Sequence, residues 1–213
     1  MRRRAALPEM ILAIYSFIWY NYSENRSCEV IKLKRKTAKE ILAESFREVA
    51  ENKNVDKITI QDIVDNCGYS PATFYRNFHD KYDLIAWDYT RVVAKIMGRI
   101  GDNYTWKQTL IDGANWFCTE KEHLINLFRH TSGHDSFIMY MTKINCDALK
   151  KHILLSDRKK ELTETEELLT RVYCLGTVNL TCEWLLGMHK ASPDEIADIY
   201  EKSVPTPLRK YLS

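Results

Sequence analysis

A Ser or Thr followed three residues later by a carboxylate recurs along this chain, and four of these pairs mark where a helix begins. Thr37 stands in this relation to Glu40, Thr59 to Asp62, Thr163 to Glu166 and Ser192 to Glu195. In such a capping box the hydroxyl accepts from the backbone N–H three residues on. The carboxylate reaches back to the N–H of the cap residue. Pro193, directly after Ser192, strengthens the last of these starts, because proline lacks an N–H that a first helical turn leaves unbonded anyway. Asp80 with Asp83 is a looser version. With 7 Gly and 5 Pro in 213 residues, little of the chain suits β-turns, so the pattern specifies an all-α fold.

Apolar spacing fills in the helices between these starts. Ile41, Leu42, Phe46 and Val49 form a stripe on a first helix over 37–51. A short second helix over 60–66 shows Ile60, Ile63 and Val64 and is closed by Cys67 and Gly68. A third opens at Ser70, with Pro71 in its first position, and ends near 78; a fourth begins at Asp80. Further helices are expected at 106–118, 120–130, 136–155, 163–189 and 193–203. The longest contains LLTRVYCLGTVNLTCEWLLGM, apolar around much of its circumference, which requires burial on more than one side. Packing against a second copy of the chain would supply the extra cover. Three regions follow: an atypical extension over 1–33, a helix-turn-helix unit over 34–82 and a larger helical unit over 83–213.

Several function classes lack support in the residues. No Ser-His-Asp set, paired carboxylates or metal-ligand spacing stands out, so an enzyme is not expected. His130 and His134 flank Gly133 in a stretch that reads as a solvated turn, and neither a metal nor another cofactor is expected. None of the 6 Cys falls in a CxxC pair, and most lie inside helical patterns; buried free thiols in a reducing cytoplasm are expected. Arg2, Arg3 and Arg4 precede the apolar run MILAIYSFIWY, which is too short to span a bilayer. It reads as a surface helix or a non-native extension, without stable membrane association.

Residues 59–78 carry the chemistry. Two short helices around the turn Cys67-Gly68-Tyr69 form a helix-turn-helix, whose later helix enters a DNA major groove by its N-terminal residues. Phe74 and Phe78 can anchor that helix inward. Ser70, Ala72, Thr73, Tyr75, Arg76 and Asn77 then face outward. Ala72 and Thr73 can offer methyl groups to thymine, Arg76 a bidentate contact to guanine, and Asn77 a contact to adenine or phosphate. Tyr75 suits a backbone phosphate. The free N–H groups at the helix starts near Thr59 and Ser70 attract phosphate. Lys81, and Lys36 at the end of the basic run KLKRK, would add phosphate contacts.

The segment TIQDIVDNCGYSPATFYRNFHDKYDLI resembles the DNA-binding domain of TetR-family transcriptional regulators. The resemblance rests on Thr59, Cys67 (where Ala is commoner), Gly68, Ser70, Thr73, Phe74, Tyr75, Phe78, Lys81 and Leu84, and it covers roughly 34–90. It implies an N-terminal three-helix helix-turn-helix DNA-binding domain followed by a C-terminal helical dimerisation and effector domain. It further implies a cytoplasmic homodimer on a palindromic double-stranded DNA operator, more often a repressor, controlled by a small-molecule effector. FHDKYDLIAWDYTR is similar to the subgroup around the dihydroxyacetone kinase regulator, where activation and control by a protein partner are the alternative. Trp116, Phe117, Phe128, Phe137, Tyr140, Met141 and Trp184 are candidate linings of the effector pocket. Leu175, Val178, Leu185 and Leu186 are candidates for the dimer face.

Overall fold

A computed structural model describes residues 35–100, 104–133, 136–158 and 161–212. The extension over 1–33 lies outside the described residues. Every described element is helical: α1 Ala38–Ala50, a 3-10 turn Val55–Lys57, α2 Ile60–Cys67, α3 Pro71–Tyr75, α4 Lys81–Met97, α5 Trp106–Thr119, α6 Lys121–His130, α7 Phe137–Ser156, α8 Glu164–Leu185, α9 Pro193–Lys202 and α10 Thr206–Arg209.

All four capping boxes form both of their hydrogen bonds. The looser pair is a variant of the same device. Asp80 accepts from the Asp83 N–H at 2.8 Å, but the Asp83 carboxylate reaches one residue further back, to the His79 N–H at 3.0 Å. The start of α5 carries a further side-chain cap, Thr105 accepting from Gln108. Helix ends were less legible. α3 stops at Tyr75 rather than near 78, because Asn77 turns its amide back onto the Thr73 carbonyl at 2.8 Å. α8 stops at Leu185, where Gly187 takes the left-handed conformation (φ 83°) and the Met188 N–H closes onto the Glu183 carbonyl at 3.0 Å.

The head, α1 to α3, is built on Leu42, Phe46, Ile63, Val64 and Phe74, all essentially inaccessible to solvent. Ser45 on α1 donates to the Ile63 carbonyl at 2.6 Å, and Asn66 donates to Glu48 at 2.7 Å, so α2 is held to α1 by polar as well as apolar contacts. α4 continues without a break from the head into the larger helical array, where it packs along α7; α7 packs along α8, and α5 along α9. The described thiols are free, and Cys146, Cys174 and Cys182 are buried as expected. Cys118 corrects that expectation: it lies on the solvent face near the end of α5. Cys28 lies outside the described residues.

Candidate nucleic-acid interface

The presentation of α3 begins with the turn before it. Gly68 adopts φ 71°, a conformation that strains any residue with a side chain, and the Tyr69 N–H closes onto the Val64 carbonyl at 2.9 Å. The chain then leaves α2 sharply, and Ser70 caps α3 by accepting from the Thr73 N–H at 3.2 Å. Phe74 and Phe78 point inward, and the Phe78 ring meets Trp87 of α4 edge-on at 5.5 Å. This anchoring leaves Ser70, Ala72, Tyr75 and Arg76 exposed, with Tyr75 61% accessible, and Thr73 and Asn77 half-buried. Arg76 rests on its own helix, donating to the Thr73 hydroxyl at 3.0 Å and the Ala72 carbonyl at 3.3 Å.

The flanking candidates divide. Lys36 is exposed and paired with Glu44 at 2.7 Å. The Thr59 hydroxyl is taken up by the α2 cap and donates to Asp62 at 2.7 Å. A hydrogen bond from Lys53, joined by the Thr59 bonds, holds the Asp62 carboxyl down to about 2, so the cap stays ionised. Lys81 requires a correction. Its ammonium donates to the carbonyls of Val55 at 2.8 Å, Asp56 at 3.2 Å and Ile58 at 2.9 Å, which uses all three of its N–H groups. Partial burial lowers its pKa, with Asp56 and Asp62 opposing the shift. In this arrangement Lys81 closes the end of the 3-10 turn and fixes α2 against α4; it offers no free donor to a phosphate.

Beneath the head, a junction ties α1 to the larger array. Arg47 donates to Asp88 of α4 at 2.6 Å and to Glu120 at the α5–α6 corner at 2.5 Å. Asn126 of α6 donates to the carbonyls of Ala50 at 2.9 Å and Lys53 at 3.0 Å and accepts from the Val55 N–H at 3.1 Å. His123, one turn earlier, packs edge-on to Phe46 at 5.9 Å. Burial first, and then Arg47, push its pKa down to about 4. Sequence reasoning missed Asn126, although a lone amide in the apolar run HLINLF was a visible signal.

The larger array holds a half-open cavity among α4, α5, α7, α8 and α9. Of the expected linings, Trp116 and Phe117 reach it. The others do not line it. Phe137 and Met141 are consumed by the core, Phe128 packs on Phe137 at 5.6 Å, and the Trp184 indole donates to the Ala191 carbonyl at 2.8 Å. Tyr140 instead borders a surface groove between α7 and α8. Trp106, Asn145 and Tyr173 line the cavity and were not foreseen; the Thr105–Gln108 spacing at the start of α5 was the available signal for Trp106. Among the dimer-face candidates, Val178 (1% exposed) and Leu185 (2%) are corrected, because they belong to the chain's own core. Leu186 is half-buried and Leu175 exposed. The outer stripe of α8 is instead Leu168 (56%), Val172 (65%) and Leu175.

An all-helical chain that displays a short, polar, internally anchored helix after a glycine turn is a helix-turn-helix DNA-binding regulator. Comparison with known proteins narrows the class. Residues 41–86 match the family described as bacterial regulatory proteins, tetR family, and residues 104–205 match the family described as transcriptional regulator C-terminal region. The chain belongs to the TetR family of transcriptional regulators; it is a DNA-binding protein and not an enzyme. A curated relative, the HTH-type dhaKLM operon transcriptional activator DhaS of Lactococcus lactis subsp. lactis (strain IL1403), is 24% identical over 71 residues. That match spans 33% of this chain and 38% of the relative. Among solved structures, the dihydroxyacetone kinase operon activator DhaS shares the fold with a TM-score of 0.55 at 16% identity, covering 82% of this chain and 96% of that one. A TetR regulator from Rhodococcus sp. RHA1 gives 0.57 at 16% identity, covering 80% and 94%. One from Streptococcus agalactiae 2603V gives 0.55 at 14%, covering 83% and 94%.

Proposed function

We propose that this chain is a sequence-specific regulator that acts as a homodimer in the cytoplasm, with residues 34–82 as its DNA-binding domain and 83–213 as its dimerisation and regulatory domain. The observation that carries the reading is the outward display of Ala72, Thr73, Tyr75 and Arg76 around the inward anchors Phe74 and Phe78. Each α3 enters one major groove. The operator is then a rough palindrome whose half-site centres lie about 34 Å apart, or a small multiple of that. Tyr75 and Lys36 contact phosphates; Thr73 and Arg76 read bases after Arg76 swings off its own helix. The dimer face is the outer surface of α7 and α8, where Met139, Leu168, Val172 and Leu175 border one groove or stripe. Two such helix pairs form a four-helix contact across a two-fold axis.

The regulator acts as a repressor released by a small molecule in the C-terminal cavity. A ligand that binds better when the two α3 helices are wrongly spaced shifts the population away from DNA. The likeness to DhaS, named as an activator, favours a second reading: an activator of that type, governed by a protein partner. Footprinting of the full chain on the DNA upstream of its own gene tests the shared core of both readings. Two protected half-sites on one face of the duplex are expected. Protection no better than on random DNA would remove the assignment of a specific operator. Transcription from that promoter, with and without the protein, separates repressor from activator.

A further inference from the structure

The start of α1 is tied to α4 by charge and by ring contacts. Glu40, the carboxylate of the α1 capping box, serves two partners with different oxygens. Its Oε2 accepts from the Thr37 N–H at 2.8 Å and the Thr37 hydroxyl at 2.9 Å; its Oε1 accepts from Arg91 of α4 at 3.0 Å. Lys39, one residue earlier, lays its ammonium over two rings, Phe78 at 5.0 Å and Trp87 of α4 at 5.7 Å. Arg91 covers Trp87 as well, its guanidinium carbon 4.8 Å from the ring centre. Trp87 is thus a common post for the start of α1 and for Phe78, the residue that anchors α3.

Arg91 is itself held in place. Asp88, one turn earlier, faces it at 3.7 Å and also accepts from Arg47 at 2.6 Å. A ring face and two carboxylates orient the planar guanidinium, which the point charge of a lysine would not reproduce. What this grip places is Lys36. It directly precedes the Thr37 cap, is exposed, and gives one of its three N–H groups to Glu44 at 2.7 Å. Phosphate contacts fix a protein's register on the duplex, so the charge of Lys36 must stand at a set distance from the groups of α3. Fraying at the start of α1 would lose that distance.

We infer that Arg91 is a positioning residue for DNA binding: it holds Glu40 against α4 and so keeps Lys36 in register with α3. The inference rests on the reading that Lys36 meets a phosphate of the half-site entered by α3, and it names the group that sets this contact. Binding of the full chain to the footprinted duplex and to a random duplex, over a range of salt, tests it with Lys36→Gln, Glu40→Gln and Arg91→Gln. Glu40→Gln is the decisive variant. Glutamine also completes a capping box, so α1 should still form and circular dichroism should be unchanged. By charge alone, removing a carboxylate beside DNA would tighten binding; lost positioning should weaken it instead. Each variant is expected to reduce the salt slope by about 1 per bound subunit. Affinity at about 0.1 M salt should fall roughly eightfold per subunit on both duplexes. Glu40→Gln combined with Lys36→Gln should lose no more than either alone. If Arg91→Gln folds poorly, Glu40→Gln and that double variant still decide the matter. Unchanged or tighter binding by Glu40→Gln overturns the inference. Losses that add in the double variant overturn it too, but leave the phosphate contact of Lys36 standing. Lys36→Gln with no effect on either duplex removes that contact and the inference together.

Discussion

Arg76 and Lys81 show how the same charge can serve different ends. Arg76 is exposed and, among the described residues, bonded only to its own helix, so Arg76→Ala should cost about 1–3 kcal/mol at one operator position and relax specificity there. Binding isotherms on operators altered one base pair at a time check this; equal losses on operator and random DNA would contradict a base-reading role. Lys81 is bonded to three carbonyls, so Lys81→Met should lower stability by about 1–3 kcal/mol and leave the salt dependence of DNA binding intact. A phosphate-contacting lysine would instead reduce the salt slope by about 1. His123 gives a pH signature. Unfolded, it titrates near its ordinary value of 6.5; folded, it is pushed down to about 4. Between those values the unfolded chain holds more protons, so stability present above pH 6.5 is lost as pH falls toward 4, by up to about 3 kcal/mol. Thermal unfolding monitored by circular dichroism from pH 7 to pH 4 should show that decline, and His123→Phe should flatten its share of it.

Helices were legible where a short-range code specified them. Capping boxes involve residues three apart, so every start they marked was visible in the sequence. The inward anchors Phe74 and Phe78 followed from helical spacing alone. The role of Lys81 was not legible, because its acceptors lie 23 to 26 residues upstream and are backbone carbonyls, which carry no sequence signature. Helix α8 failed for a different reason. Its apolar residues run around most of its circumference, so periodicity could not say which side met its own chain. The fold assigns Val178 and Leu185 inward and Leu168, Val172 and Leu175 outward. Val172→Glu combined with Leu168→Glu is accordingly expected to convert the proposed dimer to a monomer in sedimentation velocity, with helical content unchanged. Val178→Glu should instead unfold the chain, since it buries an unpaired carboxylate.

At the scale of the whole molecule, the head and the cavity are joined through α4 and α6. Asn126 contributes three hydrogen bonds, to the last residue of α1 and to the segment that follows it. Asn126→Ala leaves those backbone groups short of partners and should cost about 2–3 kcal/mol of stability. It should also lower the factor by which a cavity ligand changes DNA affinity while leaving affinity for the ligand itself unaltered. Because coupling between two sites is reciprocal, the same loss should appear when DNA is the variable and ligand affinity is measured. An unchanged factor in either direction would assign communication to α4 and the Arg47 ion pairs.

The brevity of α3, five residues from Pro71 to Tyr75, sets a limit on vocabulary. A helix of that length can inspect only a few consecutive base pairs, a word so short that any bacterial chromosome repeats it many times by chance. For the homodimer proposed above, discrimination between genomic addresses must therefore come from grammar, the demand that two such words appear in mirror order at one fixed spacing. A protein built this way tolerates spelling changes in either word better than the insertion of a single base pair between them.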